Sequence, residues 1–171
     1  MKIVQKNSCT PPWLSYDANT WLASNALPNW DVLEFGSGFS TIWYATQCNS
    51  VISIEHNADW LGLVHKAGLS NATVILQHLP YFETAIPLVE HKCYDLLVID
   101  GRNRVKCFLS SYHLVKPGGY CIFDDAQRDY YSPAIDILED TEEWEEVQDL
   151  GPGGRDDAGR LTRIFKLKIE V

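Results

Sequence analysis

The sequence has 171 residues, 46% of them hydrophobic and 22% charged, enough chain for one domain with its own core and too apolar for a disordered segment. The formal net charge is −9, and an acidic surface repels phosphate backbones, so a nucleic-acid partner is not expected. Five cysteines, an odd number with no CxxC pair, suit neither a disulfide framework nor a zinc site, and the longest purely aliphatic run, 96–99, is far too short to span a membrane.

Residues 1–12 read as a loose start ending at Pro11-Pro12, with no apolar stretch long enough for a signal peptide. Cys107 and Cys121 fall inside apolar runs, where a reduced thiol packs as a small hydrophobe, so a cytoplasmic location is expected. Residues 13–27 form an expected first helix closed by Pro28. A short strand, 32–35, then stops at a glycine loop, Gly36-Ser37-Gly38-Phe39-Ser40, and a helix follows over about 41–48. The strand 51–54 ends at Glu55, and 58–67 is helical with Trp60, Leu61 and Val64 on one face. A third strand covers 73–76, and 81–90 is a short helix or loop interrupted by Pro87.

The strand 94–99 ends at Asp100, and the spacing of Val105, Phe108, Leu109, Tyr112 and Val115 predicts a helix over 103–115. Pro117-Gly118-Gly119 turns into a fifth strand, 120–123, ending at Asp124-Asp125. A helix near 133–140 precedes two runs, about 144–150 and 161–169, joined by a Gly/Pro/Asp loop as an antiparallel hairpin. Alternating strands and helices imply a Rossmann-like, doubly wound α/β sheet of about seven strands, parallel except for that hairpin. The expected organisation is a single domain, 1–171, with 1–29 as an N-terminal lid or helix and 30–171 as the core. Ligands in such sheets bind beyond the carboxyl ends of the strands, so the polar residues there carry the information.

Gly36 and Gly38 sit where a strand turns into a helix, where glycine lets a ligand approach the backbone. The helix start at Ser40 and Thr41 offers free N–H groups to a carboxylate. Glu55, at the end of the next strand, is placed to accept hydrogen bonds from both hydroxyls of a ribose. Together they point to an adenosine-containing ligand. A dinucleotide loop wants a third glycine where this chain has Thr41, and no second domain is expected, so S-adenosylmethionine is favoured over a nicotinamide cofactor.

The segments VLEFGSGFST, VISIEHN, YDLLVIDGRNR and LVKPGGYCIFDDA together resemble four successive motifs of the class I (Rossmann-like) S-adenosylmethionine-dependent methyltransferases. The resemblance implies that Glu34, Gly36, Ser37 and Gly38 surround the methionine moiety, Glu55 holds the ribose, and His56 or His78 lies beside the adenine. For each histidine a surface or capping role is the alternative.

Asp100, Asp124 and Asp125 form a second constellation, because strands four and five are neighbours in this fold. Three carboxylates there repel one another unless a cation or a proton intervenes. Oxygen-only ligands suit Mg²⁺ or Ca²⁺, and the pattern resembles metal-dependent O-methyltransferases, so Asp100, Asp124 and Asp125 are the candidate ligands of Mg²⁺. The catechol-type enzymes of that group place a lysine three residues after the first aspartate, where this chain has Asn103. The alternative is one aspartate near the ligand and two acids capping the next helix. Asp100 and Asp125 are the candidate catalytic groups.

Trp43 and Trp60 are expected in the core, Trp13 and Tyr16 in a substrate lid or packed on the sheet, and Glu142, Glu143, Glu145 and Glu146 on a solvated strand face. The resulting expectation is methyl transfer to a small molecule, by O-methylation ahead of N-methylation, with no nucleic acid and no membrane as partner. A catalytically silent adenosyl-binding module and a nicotinamide-dependent oxidoreductase are the rival readings. Association into a homo-oligomer is left open.

Overall fold

The computed structural model describes residues 10–79, 82–90, 92–140, 142–147 and 161–169, with backbone only at 82 and 83. The first helix, α1 (Tyr16–Asn25), starts later than the sequence pattern suggests. Ser15 caps it, its hydroxyl accepting from the Ala18 N–H, so Trp13 and Leu14 precede the helix. Then come β1 (Asp31–Phe35), α2 (Phe39–Gln47), β2 (Ser50–Glu55), α3 (Ala58–Lys66) and β3 (Ala72–Leu76). A 3₁₀ segment, Phe82–Leu88, contains Pro87 and leads to β4 (Tyr94–Ile99) and α4 (Arg104–Ser111). After β5 (Val115–Phe123) follow α5 (Ser132–Leu138), β6 (Trp144–Glu146) and β7 (Arg163–Leu167).

The sheet order is β3-β2-β1-β4-β5-β7-β6, parallel through β5, with β7 antiparallel to both β5 and β6. The mostly parallel seven-stranded sheet with a reversed end is the one the sequence implies. Both faces are covered, and the strand residues divide between them by alternation. Leu33, Phe35, Leu97, Ile99, Cys121 and Phe123 pack with the 3₁₀ segment, α4 and α5. Val32, Leu96, Val98 and Ile122 pack with α1 and α2 on the other face. Cys107 and Cys121 are fully buried thiols, packed as hydrophobes.

Two expectations need correction. The helix expected over 103–115 ends at Ser111 and gives way to a 3₁₀ turn, Tyr112–Leu114. The fifth strand opens at Val115 rather than after Gly119, and Pro117-Gly118-Gly119 loops out within it. Its register with β4 jumps from Tyr94↔Val115 to Leu96↔Tyr120. Gly118 sits at φ +79, and a Cβ on Gly119 would stand 2.9 Å from the Lys116 carbonyl oxygen and 3.0 Å from that of Asp95. Glycine therefore permits the bulge that a helix-to-strand turn was expected to supply. The 151–160 loop and most of the expected strand 144–150 beyond Glu146 lie outside or at the edge of the described residues. Among the described residues no helix is long and apolar enough to cross a membrane.

Candidate functional site

The winding of the sheet reverses between β1 and β4, so the chain leaves their carboxyl ends in opposite directions and opens a crevice. Backbone bonds hold its rim together: Gly36 N–H donates to the Ile54 carbonyl (2.9 Å), Asp100 to Phe35 (3.0 Å) and Asp124 to Ile99 (3.1 Å). A cavity of about 380 Å³ lies there, with Gly36, Ser37, Gly38, Ser40, Glu55, His56, Asp100 and Asp125 on its wall. Of the residues singled out in the sequence, these eight are brought together. His78 is exposed beyond β3 and is not on this wall.

Glu34, Thr41 and Asp124 stand behind the wall. Glu34 is fully buried and accepts the hydroxyl hydrogen bonds of Ser40 and Thr41, both at 2.5 Å, while Gly38 N–H donates to Thr41 Oγ1 at 3.0 Å. It fastens the start of α2 to the sheet and does not face the cavity. Burial pushes its carboxyl from an ordinary 4.5 up to about 7, with the Ser40, Thr41 and Ser53 hydroxyls opposing. The folded state thus holds this proton longer than the unfolded chain. Stability from this group is fully present below pH 4.5, falls by about 3 kcal/mol as pH rises through 7, and is flat above. In urea unfolding across this range, Glu34→Gln should lose that part of the slope; an unchanged slope would show that Glu34 does not carry it. Asp100, shifted the same way, keeps its own share.

Glu55 joins the loops after β1 and β2. One carboxylate oxygen accepts the Ser37 N–H at 2.7 Å; the other accepts the N–H groups of His56 and Asn57, each at 2.7 Å. His56 Nδ1 lies 2.8 Å from that second oxygen. A carboxylate offers about four lone-pair positions, so the oxygen bound only to Ser37 retains capacity for a ligand hydroxyl. The Ser37 hydroxyl is buried on the cavity wall without a hydrogen-bond partner among the described residues. A Cβ on Gly38 would stand in ordinary contact with the Trp60 ring, at 3.5 Å, so without it the backbone there lies bare on the wall. An orphaned hydroxyl, a bare backbone and a carboxylate with spare capacity fit a ligand bearing hydroxyls and a polar chain, as S-adenosylmethionine does.

The three aspartates do converge, and the cation among them is Arg104. Its Nη2 is 3.1 Å from Asp100 Oδ1 and 3.3 Å from Asp125 Oδ2, and its Nη1 is 3.5 Å from Asp124 Oδ2. The same guanidinium donates to the carbonyls of Gly101, Asp100 and Asp124 and lies over the Tyr131 ring. Asp124 also accepts the Thr162 hydroxyl at 2.6 Å, and Asp125 pairs with Arg128 at 2.8 Å. Asp100 Oδ1, both oxygens of Asp124 and Asp125 Oδ2 are already engaged, and among the described residues no group of three or more acidic, histidine or cysteine side chains is arranged to hold a metal. These residues do not fit Mg²⁺. The neutralisation that three acids require is supplied from within, by Arg104. Burial and the Asp124 carboxylate push Asp100 well above the ordinary carboxylate range, Arg104 pulling the other way. Asp125 takes a left-handed backbone, φ +57, a conformation costly enough to need the ion pairs that hold it.

Several wall residues escaped the sequence reading. Trp60, expected in the core, is half-buried on the wall and forms an aromatic group with Trp13 and Phe39, ring centroids 5.8–6.3 Å apart. Its place one turn into the helix after Glu55 was the available signal. Arg102, Arg104 and Arg128 also line the cavity. The first two lie two and four residues after Asp100, and the third three residues after Asp125.

A family model described as a methyltransferase domain matches residues 33–126. No curated protein sequence matches the chain. Among solved structures, an rRNA methylase from Streptococcus thermophilus is similar at 14% identity and a TM-score of 0.67, over 88% of this chain and 93% of that one. A methyltransferase-like protein from Silicibacter pomeroyi is similar at 17% identity and 0.65, over 94% and 90%. The N-methyltransferase NodS from Bradyrhizobium japonicum is similar at 18% identity and 0.60, over 90% and 93%. With the family model matched over more than half its length and the fold shared with these structures, the chain belongs to the methyltransferase-domain family of class I, Rossmann-like methyltransferases.

Proposed function

We propose that this S-adenosylmethionine-dependent methyltransferase methylates an oxygen of a small molecule, without a metal. The observation that carries the reading is the single wall that joins Gly36, the unpartnered Ser37 hydroxyl and Glu55 to Asp100 and Asp125. When bound there, the cofactor supplies an electrophilic methyl group. Gly36 and Gly38 give its methionine end access to bare backbone, and the start of α2 at Ser40 attracts its carboxylate. Glu55 takes a ribose hydroxyl through its less occupied oxygen, and His56 flanks the adenine. Asp100 and Asp125 orient the acceptor hydroxyl. Asp100, held above the ordinary carboxylate range, is suited to receive the hydroxyl proton as the acceptor oxygen bonds to the methyl carbon and the carbon–sulfur bond breaks onto sulfur. Residues 13–25, with Trp13 on the cavity wall, form the lid of a single catalytic domain in this reading.

Calorimetry with S-adenosylhomocysteine, S-adenosylmethionine and NAD tests the cofactor. Both sulfur ligands should bind and NAD should not; tighter binding of NAD would overturn the reading. Glu55→Gln should weaken S-adenosylhomocysteine about 10- to 100-fold, the effect of losing a charge-assisted hydrogen bond of about 1.5–3 kcal/mol. It should also cost about 1 kcal/mol of stability, because the Ser37, His56 and Asn57 N–H groups then lose a charged acceptor. Unaltered affinity in the folded variant would remove Glu55 from the ribose. Binding without turnover on any hydroxylated acceptor would favour the silent module.

A further inference from the structure

We propose that the methyl acceptor is a small molecule bearing a phosphate or carboxylate group, gripped at the cavity mouth by Arg102 together with Arg128. The proposal rests on the methyltransferase reading of the cavity and names the acceptor class.

The chain carries a net charge of −9, yet its cationic side chains on this wall are three arginines and no lysine. Arg104 is 7% exposed and committed to the three aspartates. Arg128 is anchored on one side only, by Asp125 at 2.8 Å and the Tyr130 hydroxyl at 2.9 Å, and its side chain remains 43% exposed. Arg102 is exposed, and its side chain makes no hydrogen bond or ion pair among the described residues. The carboxylates of Asp100, Asp124 and Asp125 face Arg104 and Arg128, and none of the three pairs with the guanidinium of Arg102.

The cofactor does not account for the Arg102 guanidinium. Its sulfonium and ammonium are cations, which Asp100 and Glu55 suit and an arginine repels. Its one carboxylate is met on the Gly36–Ser40 side, at the start of α2. The remaining ligand in the cavity is the acceptor. A guanidinium presents a planar fork of donors that matches a phosphate or carboxylate in a bidentate pair, and a positive mouth on an acidic protein concentrates small anions. Trp13, 58% exposed on the same wall, offers a flat apolar face to the body of such a molecule. The rest of the acidic surface disfavours the long polyanion of an RNA.

The test uses the full chain saturated with S-adenosylhomocysteine, titrated with phenyl phosphate, benzoate and the neutral benzyl alcohol at constant ionic strength. At least one of the two anions should bind about tenfold or more tightly than benzyl alcohol, and which one does so distinguishes phosphate from carboxylate. Arg102→Gln should remove that preference, Arg102→Lys should recover part of it, and Arg128→Gln should weaken it. Affinity for S-adenosylhomocysteine should stay within about twofold in Arg102→Gln. Equal binding of anions and alcohol, or a preference unmoved by Arg102→Gln, would overturn the proposal. So would a loss of S-adenosylhomocysteine affinity in Arg102→Gln, which would assign the arginine to the cofactor carboxylate. An RNA hexamer binding more tightly than either anion and losing its affinity in Arg102→Gln would overturn it in favour of nucleic acid. Failure of the wild-type chain to bind S-adenosylhomocysteine would instead count against the methyltransferase reading, and the anion titration of the free protein would still judge this one.

Discussion

Gly36→Ala should both destabilise the protein and nearly abolish S-adenosylhomocysteine binding. Gly36 stands at φ +100, where a side chain is strained whatever surrounds it. Its added Cβ would also lie 2.9 Å from the Cα and N of Gly101 and 3.0 Å from the carbonyl carbon of Asp100. These are backbone atoms, so relief requires the loop after β1 to move away from the end of β4. Strain and overpacking together should cost about 2–5 kcal/mol in urea unfolding. Because the cavity is the gap between those two loops, the affinity loss should exceed about tenfold. Gly68→Ala is the control: φ is +66 there, but nothing lies within 4 Å, so about 1 kcal/mol of backbone strain is the whole effect expected. Equal losses in the two variants would refute the close contact at Gly101.

Arg104→Met should be more damaging still. The substitution keeps much of the side-chain volume but leaves three carboxylates facing one another around a buried site. Removing one partner from such a network costs about 3–5 kcal/mol. The sign of its pH dependence is diagnostic. With Arg104 gone, protonation is the remaining way to relieve the repulsion, so the stability deficit relative to wild type should shrink as pH falls towards 5 and grow towards 8. Circular dichroism melts at several pH values measure it; a deficit independent of pH would mean that lost packing on Tyr131, rather than charge, dominates. In the wild type, S-adenosylhomocysteine binding should be the same with EDTA as with Mg²⁺, and a requirement for the ion would restore the metal reading.

The legible parts of this site were those governed by strand-end rules. In a parallel sheet, whatever follows each strand must lie on one edge, so Gly36, Glu55, Asp100 and Asp125 could be brought together from sequence alone. Their partners were not readable in that way. Arg104 lies four residues after Asp100 and 20 before Asp124, and only folded geometry turns its guanidinium into the centre of an acid cluster. Glu34 shares the face of β1 that packs against α1 and α2, which the alternation of Val32 and Leu33 fixes only when both faces are known to be covered. The bulge in β5 stayed hidden because Pro117-Gly118-Gly119 has the composition of an ordinary turn.

The placement of β7 between β5 and β6 has a consequence for the order in which the molecule can be built. A ribosome delivers β1 to β5 first, so the five parallel strands can pair while the outer edge of Tyr120–Phe123 is bare. Thr162, which accepts from the Ser15 N–H and donates to Asp124, is still unmade at that stage. The nascent chain therefore holds Arg104 and its aspartates in a cluster lacking one latch, beside an unpaired apolar strand, until residue 167 clears the exit tunnel. Within that interval the sheet edge is an adhesive surface for any other extended chain.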